Sequence, residues 1–339
     1  MRTGVGLAER WLSTAARCIC VWLLLGTMTL QAIPGIAVTT DYPLRPIRLV
    51  VPFAAGGTSD ILGRILSARM QEAVGQRLVV DNRGGAGGMI GTDIAAKATA
   101  DGYTLVLGSN ATHAIVPLLQ KKPPYDPVKD FAPVGMVAIT PTLLAVNNDL
   151  PVKSVKDLIV LAKAKPNTLA YASSGIGSAT HVAGEMLGTI AGIQLTHVPY
   201  KSASAAYPDV FSGRVAMIFD TALSMAQHLK AERLRPLAVT TPLRAKNLPD
   251  VPTMSEAGLR GYAMTLWLGV FAPAGTPATA ITQLNTAMNR ALSSPDVREQ
   301  MAQQGAEVSY GAPSDLLTAV KTDLTRMGAI IKAAKIEAQ

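Results

Sequence analysis

Residues 51–60 read VPFAAGGTSD. An apolar run at 47–52 (IRLVVP) enters this stretch, and a helix-patterned segment at 58–74 leaves it. In that segment Ile61, Leu62, Ile65, Leu66, Ala73 and Val74 recur at helical spacing, with Arg64 and Arg69 on the other face. The reading is a buried strand, a glycine turn and a helix. In open α/β sheets, ligands bind at the carboxyl ends of strands. Gly56 and Gly57 let the backbone turn and approach a ligand closely. Thr58, Ser59 or Asp60 can cap the helix, leaving neighbouring N–H groups aimed at the crevice. Such a site suits an anion. Asp60 is better placed as a cap at the positive end of the helix dipole than as a contact to an anion, which its carboxylate would repel.

The same unit repeats outward from this stretch. Strands are expected at 78–80 and 104–107, with a glycine-rich loop (DNRGGAGGMIG, 81–91) after the first of them and helices near 92–98 and 111–119. A polar, proline-rich connection follows at 121–127. A second series then begins, with strands at 143–146, 169–172, 195–199, 215–219 and 237–240 and helices at 155–165, 179–191 and 204–211. A strand at 266–271, a loop at 273–277 and three helices near 278–292, 295–304 and 313–334 close the chain. Strands alternating with helices predict parallel, doubly wound α/β sheets. The last three helices have no sheet of their own, so they are expected to return and cover the first domain. The resulting division is residues 42–142 with 246–339 as domain 1 and 143–245 as domain 2, joined by a two-crossing hinge.

The bulk numbers agree with this reading. A chain of 339 residues, 49% hydrophobic and 16% charged, is long enough for about two domains and too apolar to be disordered. Arg2, Arg10 and Arg17 precede an uncharged apolar run at 18–30, and small residues follow at Gly35 and Ala37. This is the layout of a signal peptide at 1–37, cleaved near Ala37, and the run is shorter than the roughly 20 residues of a membrane span. Both cysteines, Cys18 and Cys20, fall inside that segment, so disulfides, Cys-ligated metals and Cys nucleophiles are excluded from the mature chain. The formal charge is +8; residues 1–37 carry three Arg and one Glu, a net of +2, which leaves +6 (8 minus 2). The basic residues are scattered and aromatic residues are few, which argues against a nucleic-acid partner and for attraction of a small anion.

Other loops bear on the chemistry. In the 81–91 loop the dinucleotide pattern fails, because Ile90 stands where the third glycine is required after Gly85 and Gly87. The backbone N–H groups of that loop remain anion-binding candidates. The stretch 171–181 (YASSGIGSATH) gathers Ser173, Ser174, Ser178 and Thr180 between a strand and a helix, where they serve as caps or as ligand contacts. Asp220 closes an apolar strand, and Tyr200 and Lys201 end the strand before it. None of the four histidines has metal-ligand spacing beside a carboxylate, so no metal and no cofactor is expected. No G-x-S-x-G elbow, Walker loop or H-E-x-x-H occurs, so catalysis has no candidate residue.

Taken together, VPFAAGGTSD, DNRGGAGGMIG, GIGSATH, HVPYK (197–201), SGRVAMIFD (212–220) and FAPAGTP (271–277) resemble the substrate-binding receptors of tripartite tricarboxylate transporters, the Bug-type periplasmic proteins. The resemblance covers about residue 42 to the C-terminus. It implies a two-lobed periplasmic binding-protein fold of the type II-like kind, no enzymatic activity, a monomer in the periplasm and a two-subunit membrane permease as partner. It also implies a ligand carboxylate held by the first two loops. Carried over by position, it marks Phe53, Gly57, Thr58 and Asp60 in the first loop and Gly87, Gly88 and Met89 in the second. Asn110, Ser174, Ser178, Thr180 and Asp220 are implied as further contacts or cleft liners. One departure is visible: Gly84 stands where the family usually has Pro, so Gly84→Pro is expected to leave the fold intact and to preserve or tighten binding.

The resulting expectation is capture by hinge closure. A small carboxylate (a di- or tricarboxylate, an amino acid or an aromatic acid) docks on domain 1, and domain 2 then closes over it. A nucleotide-dependent oxidoreductase or transferase is opposed by the export signal and the broken glycine pattern. A receptor that reports to a membrane sensor would use the same binding cycle.

Overall fold

The computed structural model describes residues 42–333 and 336. The expected signal peptide, its cleavage point and both cysteines lie outside the described residues. Strands are β1 (Ile47–Val51), β2 (Leu78–Asn82), β3 (Thr104–Ser109), β4 (Phe131–Thr140), β5 (Thr142–Asn147), β6 (Ala170–Ser173), β7 (Thr196–Pro199), β8 (Met217–Thr221), β9 (Leu234–Val239), β10 (Leu266–Pro273) and β11 (Glu307–Val308). Helices are α1 (Thr58–Val74), α2 (Met89–Ala96), α3 (Val155–Ala164), α4 (Ala179–Ala191), α5 (Ala203–Phe211), α6 (Ala222–Lys230), α7 (Ala278–Ser293), α8 (Pro295–Gln303) and α9 (Pro313–Ala333). A π-helical turn at Ala111–Ile115 runs into a short helical segment at Val116–Leu118 where one helix was expected.

Two sheets result, ordered β11-β4-β10-β3-β1-β2 and β7-β6-β8-β5-β9. They are mixed rather than wholly parallel. β1 pairs in parallel with β2 and β3, whereas β10 runs antiparallel to β3 and β4, and β5 antiparallel to β8 and β9. The hinge is the reason. β4 leaves the first sheet at Thr140, and β10 enters beside it with Leu266 opposite Thr140, so a strand returning at that edge must run the other way. Only Pro141 separates β4 from β5.

Each sheet is covered on both faces. Leu62, Leu66 and Met70 of α1 and Leu284 and Met288 of α7 bury one face of the first sheet; Ala95 of α2 and Leu316 and Val320 of α9 bury the other. On the second sheet, Leu158 and Val182 pack on one face, and Ala206, Val210 and Met225 on the other. Each leucine, methionine and valine among them contributes about 1.5–3 kcal/mol when fully withdrawn from water.

The return to the first lobe comes later than residue 246. Met254 N–H donates to Val239 O, Met264 N–H to Thr240 O, and the Tyr262 hydroxyl to Ala183 O, so the segment through Met264 belongs with the second sheet. The C-terminal helix also does more than cover domain 1. The first half of α9 lies on the first sheet, while Met327 and Ile331 share a core cluster with Leu144 and Val146 of the second. The helix therefore spans the two lobes beside the strand crossings. Among the described residues no helix is long and apolar enough to cross a membrane.

Candidate functional site

Two cavities of about 700 and 940 Å³ lie side by side between the lobes, and Phe53, Ala54, Ser174 and Lys201 line both. The first loop supplies one wall. Gly57 is the N-cap of α1 in an extended conformation with no side-chain cap, so the amides of the first helical turn have no intrahelical acceptor. Gly56 sits at φ +79, a left-handed conformation that admits glycine at little cost. Asp60 does not line either cavity. Its carboxylate accepts the Gly56 N–H at 2.9 Å and pairs with Arg64 at 3.0 Å. Burial raises its pKa, but the bonds from Arg64, Gly56 and Asn82 outweigh burial and hold it below the usual value. Asp60 thus fixes the loop.

The second loop lines the larger cavity through Gly84–Gly88. Gly87 and Gly88 have positive φ, and the space around them is closed. A Cβ on Gly88 would stand 2.6 Å from Thr112 Cγ2, and one on Gly87 would stand 3.1 Å from Ile176 O of the opposite lobe. Two loops of the first lobe and one of the second therefore meet backbone to backbone. A Cβ on Gly84 would lie 3.2 Å from Ala54 N, so a proline there requires the first loop to give slightly. Met89 turns away from the cleft and packs against the core that holds Val50 and Trp267. Asn110 lines neither cavity. It is fully buried, and its Nδ2 donates to Thr265 O at 3.0 Å, so it ties the end of β3 to the returning hinge strand.

The second lobe contributes Ser174, Ser178, Thr180 and Asp220. Ser178 is the N-cap of α4 and accepts the His181 N–H at 3.1 Å; Thr180 Oγ1 accepts the Ser174 N–H at 2.9 Å. Ser178 caps the helix, Thr180 ties down the preceding loop, and both line the smaller cavity. Asp220 accepts the Tyr207 hydroxyl at 2.7 Å and the Thr221 N–H at 2.7 Å. Burial lifts its carboxyl from 3.8 to about 6 despite these bonds. The lobes are joined directly across the cleft, where Thr58 Oγ1 stands 2.6 Å from Thr221 Oγ1 and 3.2 Å from Ser224 Oγ.

The reading of single loops missed how helix starts converge. Gly57, Ser178, Ser202 and Thr221 are the N-caps of α1, α4, α5 and α6, and all four line the smaller cavity. Each helix start carries roughly half a positive charge. Tyr207, Phe211 and His228 were also missed as lining residues. The larger cavity is bordered by His181 and His197, whose rings stack at 4.2 Å; burial pushes both to about 4, so they are neutral near pH 7. Among the described residues no group of three or more His, Cys, Asp or Glu is arranged to hold a metal.

Comparison with known proteins follows the geometry. The family described as tripartite tricarboxylate transporter family receptor matches residues 62–336. BugT of Bordetella pertussis is 37% identical over 305 residues, covering 89% of this chain and 94% of that protein. The solved R. palustris protein Rpa4515 with adipate is 40% identical with a TM-score of 0.84, over 88% of this chain and 99% of that one. MatC from Rhodopseudomonas palustris with bound malate is 32% identical with a TM-score of 0.81, over 86% and 100%.

Proposed function

Given that this chain belongs to the tripartite tricarboxylate transporter receptor family, we propose that it is a periplasmic solute-binding receptor. In this reading it captures a small carboxylate between its lobes and passes it to a two-subunit membrane permease. The observation that carries the reading is the meeting of four helix N-caps on one cavity without an arginine in its lining. A carboxylate placed there accepts N–H bonds from the backbone and lies at the positive ends of several helices. Recognition through backbone groups suits any acid that shares the carboxylate, and side chains of the second lobe then discriminate among acids. The relatives that carry adipate and malate support the same chemistry. Phe53, Gly57, Thr58, Ser174, Ser178, Thr180 and Asp220 are the contacts proposed in the smaller cavity, with Gly87 and Gly88 in the larger.

Calorimetry of the purified mature chain with mono-, di- and tricarboxylates tests this reading, together with mass spectrometry of ligand retained through gentle purification. Saturable binding of at least one acid is expected. Heat-silent titrations across the panel, with no thermal shift from any acid, would overturn it.

A further inference from the structure

We propose that the acid this cleft selects carries a flat apolar body, and that Tyr207, Phe211 and His228 form the wall against which the body lies. The inference rests on the carboxylate reading above and narrows it.

Tyr207 and Phe211 are four residues apart on α5, so they share one face of the helix. Their rings are nearly parallel, 14° apart, with centroids 5.6 Å from each other. His228 of α6 closes on both, at 4.2 Å from Tyr207 and 5.0 Å from Phe211. The Arg233 guanidinium stacks on Phe211 at 5.1 Å and is not itself part of the cavity lining. All three rings line the same cavity as the four helix caps. The chain has five Phe, and two of them, Phe53 and Phe211, line this cavity. Ile61, Pro208 and Leu266 extend the apolar lining. A planar ring gains about 0.5–1.5 kcal/mol from such aromatic neighbours beyond its buried area.

The test is calorimetry on the mature chain with benzoate, cyclohexanecarboxylate, adipate and citrate, repeated on Phe211→Ala and Phe211→Leu. Benzoate is expected to bind about tenfold or more tightly than adipate and citrate, and more tightly than cyclohexanecarboxylate. Both variants should weaken benzoate roughly tenfold, with melting temperatures close to the parent's. Phe211→Leu keeps apolar volume and removes the flat ring, so it reports on the wall even if the alanine variant folds poorly. Adipate or citrate binding as tightly as benzoate overturns the inference and leaves the carboxylate reading standing. Equal affinity for benzoate and cyclohexanecarboxylate overturns the flat wall, as does unchanged benzoate affinity in Phe211→Leu. Failure of all four acids to bind counts against the carboxylate reading itself.

Discussion

Removing one hydroxyl, in Tyr207→Phe, is expected to make the stability of this protein depend more steeply on pH. Tyr207 is 5% exposed and its hydroxyl donates to Asp220 Oδ2 at 2.7 Å. Burial raises the Asp220 carboxyl to about 6 from 3.8, while the bonds from Tyr207 and Thr221 pull it partly back. For a carboxyl raised on folding, the folded state holds its proton more tightly than the unfolded chain does. Its contribution is therefore fully present below 3.8 and is lost as pH rises through about 6. At about 1.4 kcal/mol per pH decade, that span is worth about 3 kcal/mol. In Tyr207→Phe the burial remains and one donor goes. At about pH 8 the ionised carboxylate loses a charge-assisted bond worth about 1.5–3 kcal/mol, whereas at about pH 4.5 the protonated acid loses a neutral bond worth about 0.5–1.5 kcal/mol. Urea unfolding of parent and variant at both pH values should show a destabilisation larger at pH 8 by about 1 kcal/mol or more, with unchanged m-values. An equal loss at the two pH values, or a smaller one at pH 8, would refute the reasoning.

Other perturbations test other joints. Thr58→Val removes the hydroxyl that bridges to Thr221 and Ser224, while Thr221 keeps Ser224 as partner. The closed state should lose about 1–2 kcal/mol and ligand affinity about 5- to 30-fold, read by calorimetry, with the unliganded radius of gyration rising in solution scattering; unchanged affinity and radius would remove Thr58 from the closure. Gly184→Ala, inside α4, would ordinarily stabilise a helix, but a Cβ there stands 2.2 Å from the Tyr171 ring. A loss of about 1–3 kcal/mol in thermal or urea unfolding is expected, and a gain would contradict the packing. His113 is fully buried, stacks on Phe271 at 3.8 Å, and is pushed by burial to about 3. A histidine depressed on folding contributes stability present above 6.5 and lost as pH falls below that value toward about 3. His113→Phe should therefore shift the acid-unfolding midpoint downward, and an unmoved midpoint would show that this ring does not limit acid stability.

The strand-loop-helix units were legible because each is a local switch of hydrophobic period from two to 3.6, closed by glycine. Helices α1 and α4 have the bounds that periodicity predicts. β4 was not legible. Pro133 and Gly135 interrupt its pattern, and the register shifts where β10 passes them. β10 itself gave no sign of its direction, because that is set by where the hinge returns rather than by its own residues. α6 was left without bounds for another reason: it follows β8 without an intervening loop, Thr221 ending the strand and capping the helix at once. With its start went Ser224, and with Ser224 the cross-lobe contact to Thr58.

The same distinction runs through the candidate site. Gly57, Gly87, Gly88 and Ser178 stand at strand ends and helix starts, where chemistry follows from position in one unit, and the structure puts each at the cleft. Met89 and Asn110 occupy equally suggestive positions, yet one turns into the core beside Trp267 and the other holds the hinge at Thr265. Sequence position fixes which element a residue belongs to, while the direction of its side chain depends on how the π-helical turn and hinge are laid against that element. Tyr207 and Phe211 are the converse case, since an aromatic pair at helical spacing reads as core until the second lobe is docked on the first. Under the proposed function, the backbone groups that were legible serve what all acid ligands share. The side chains that decide between ligands sit on the lobe whose placement is non-local, which is why a preference for an anion was readable from the sequence and the body of the ligand was not.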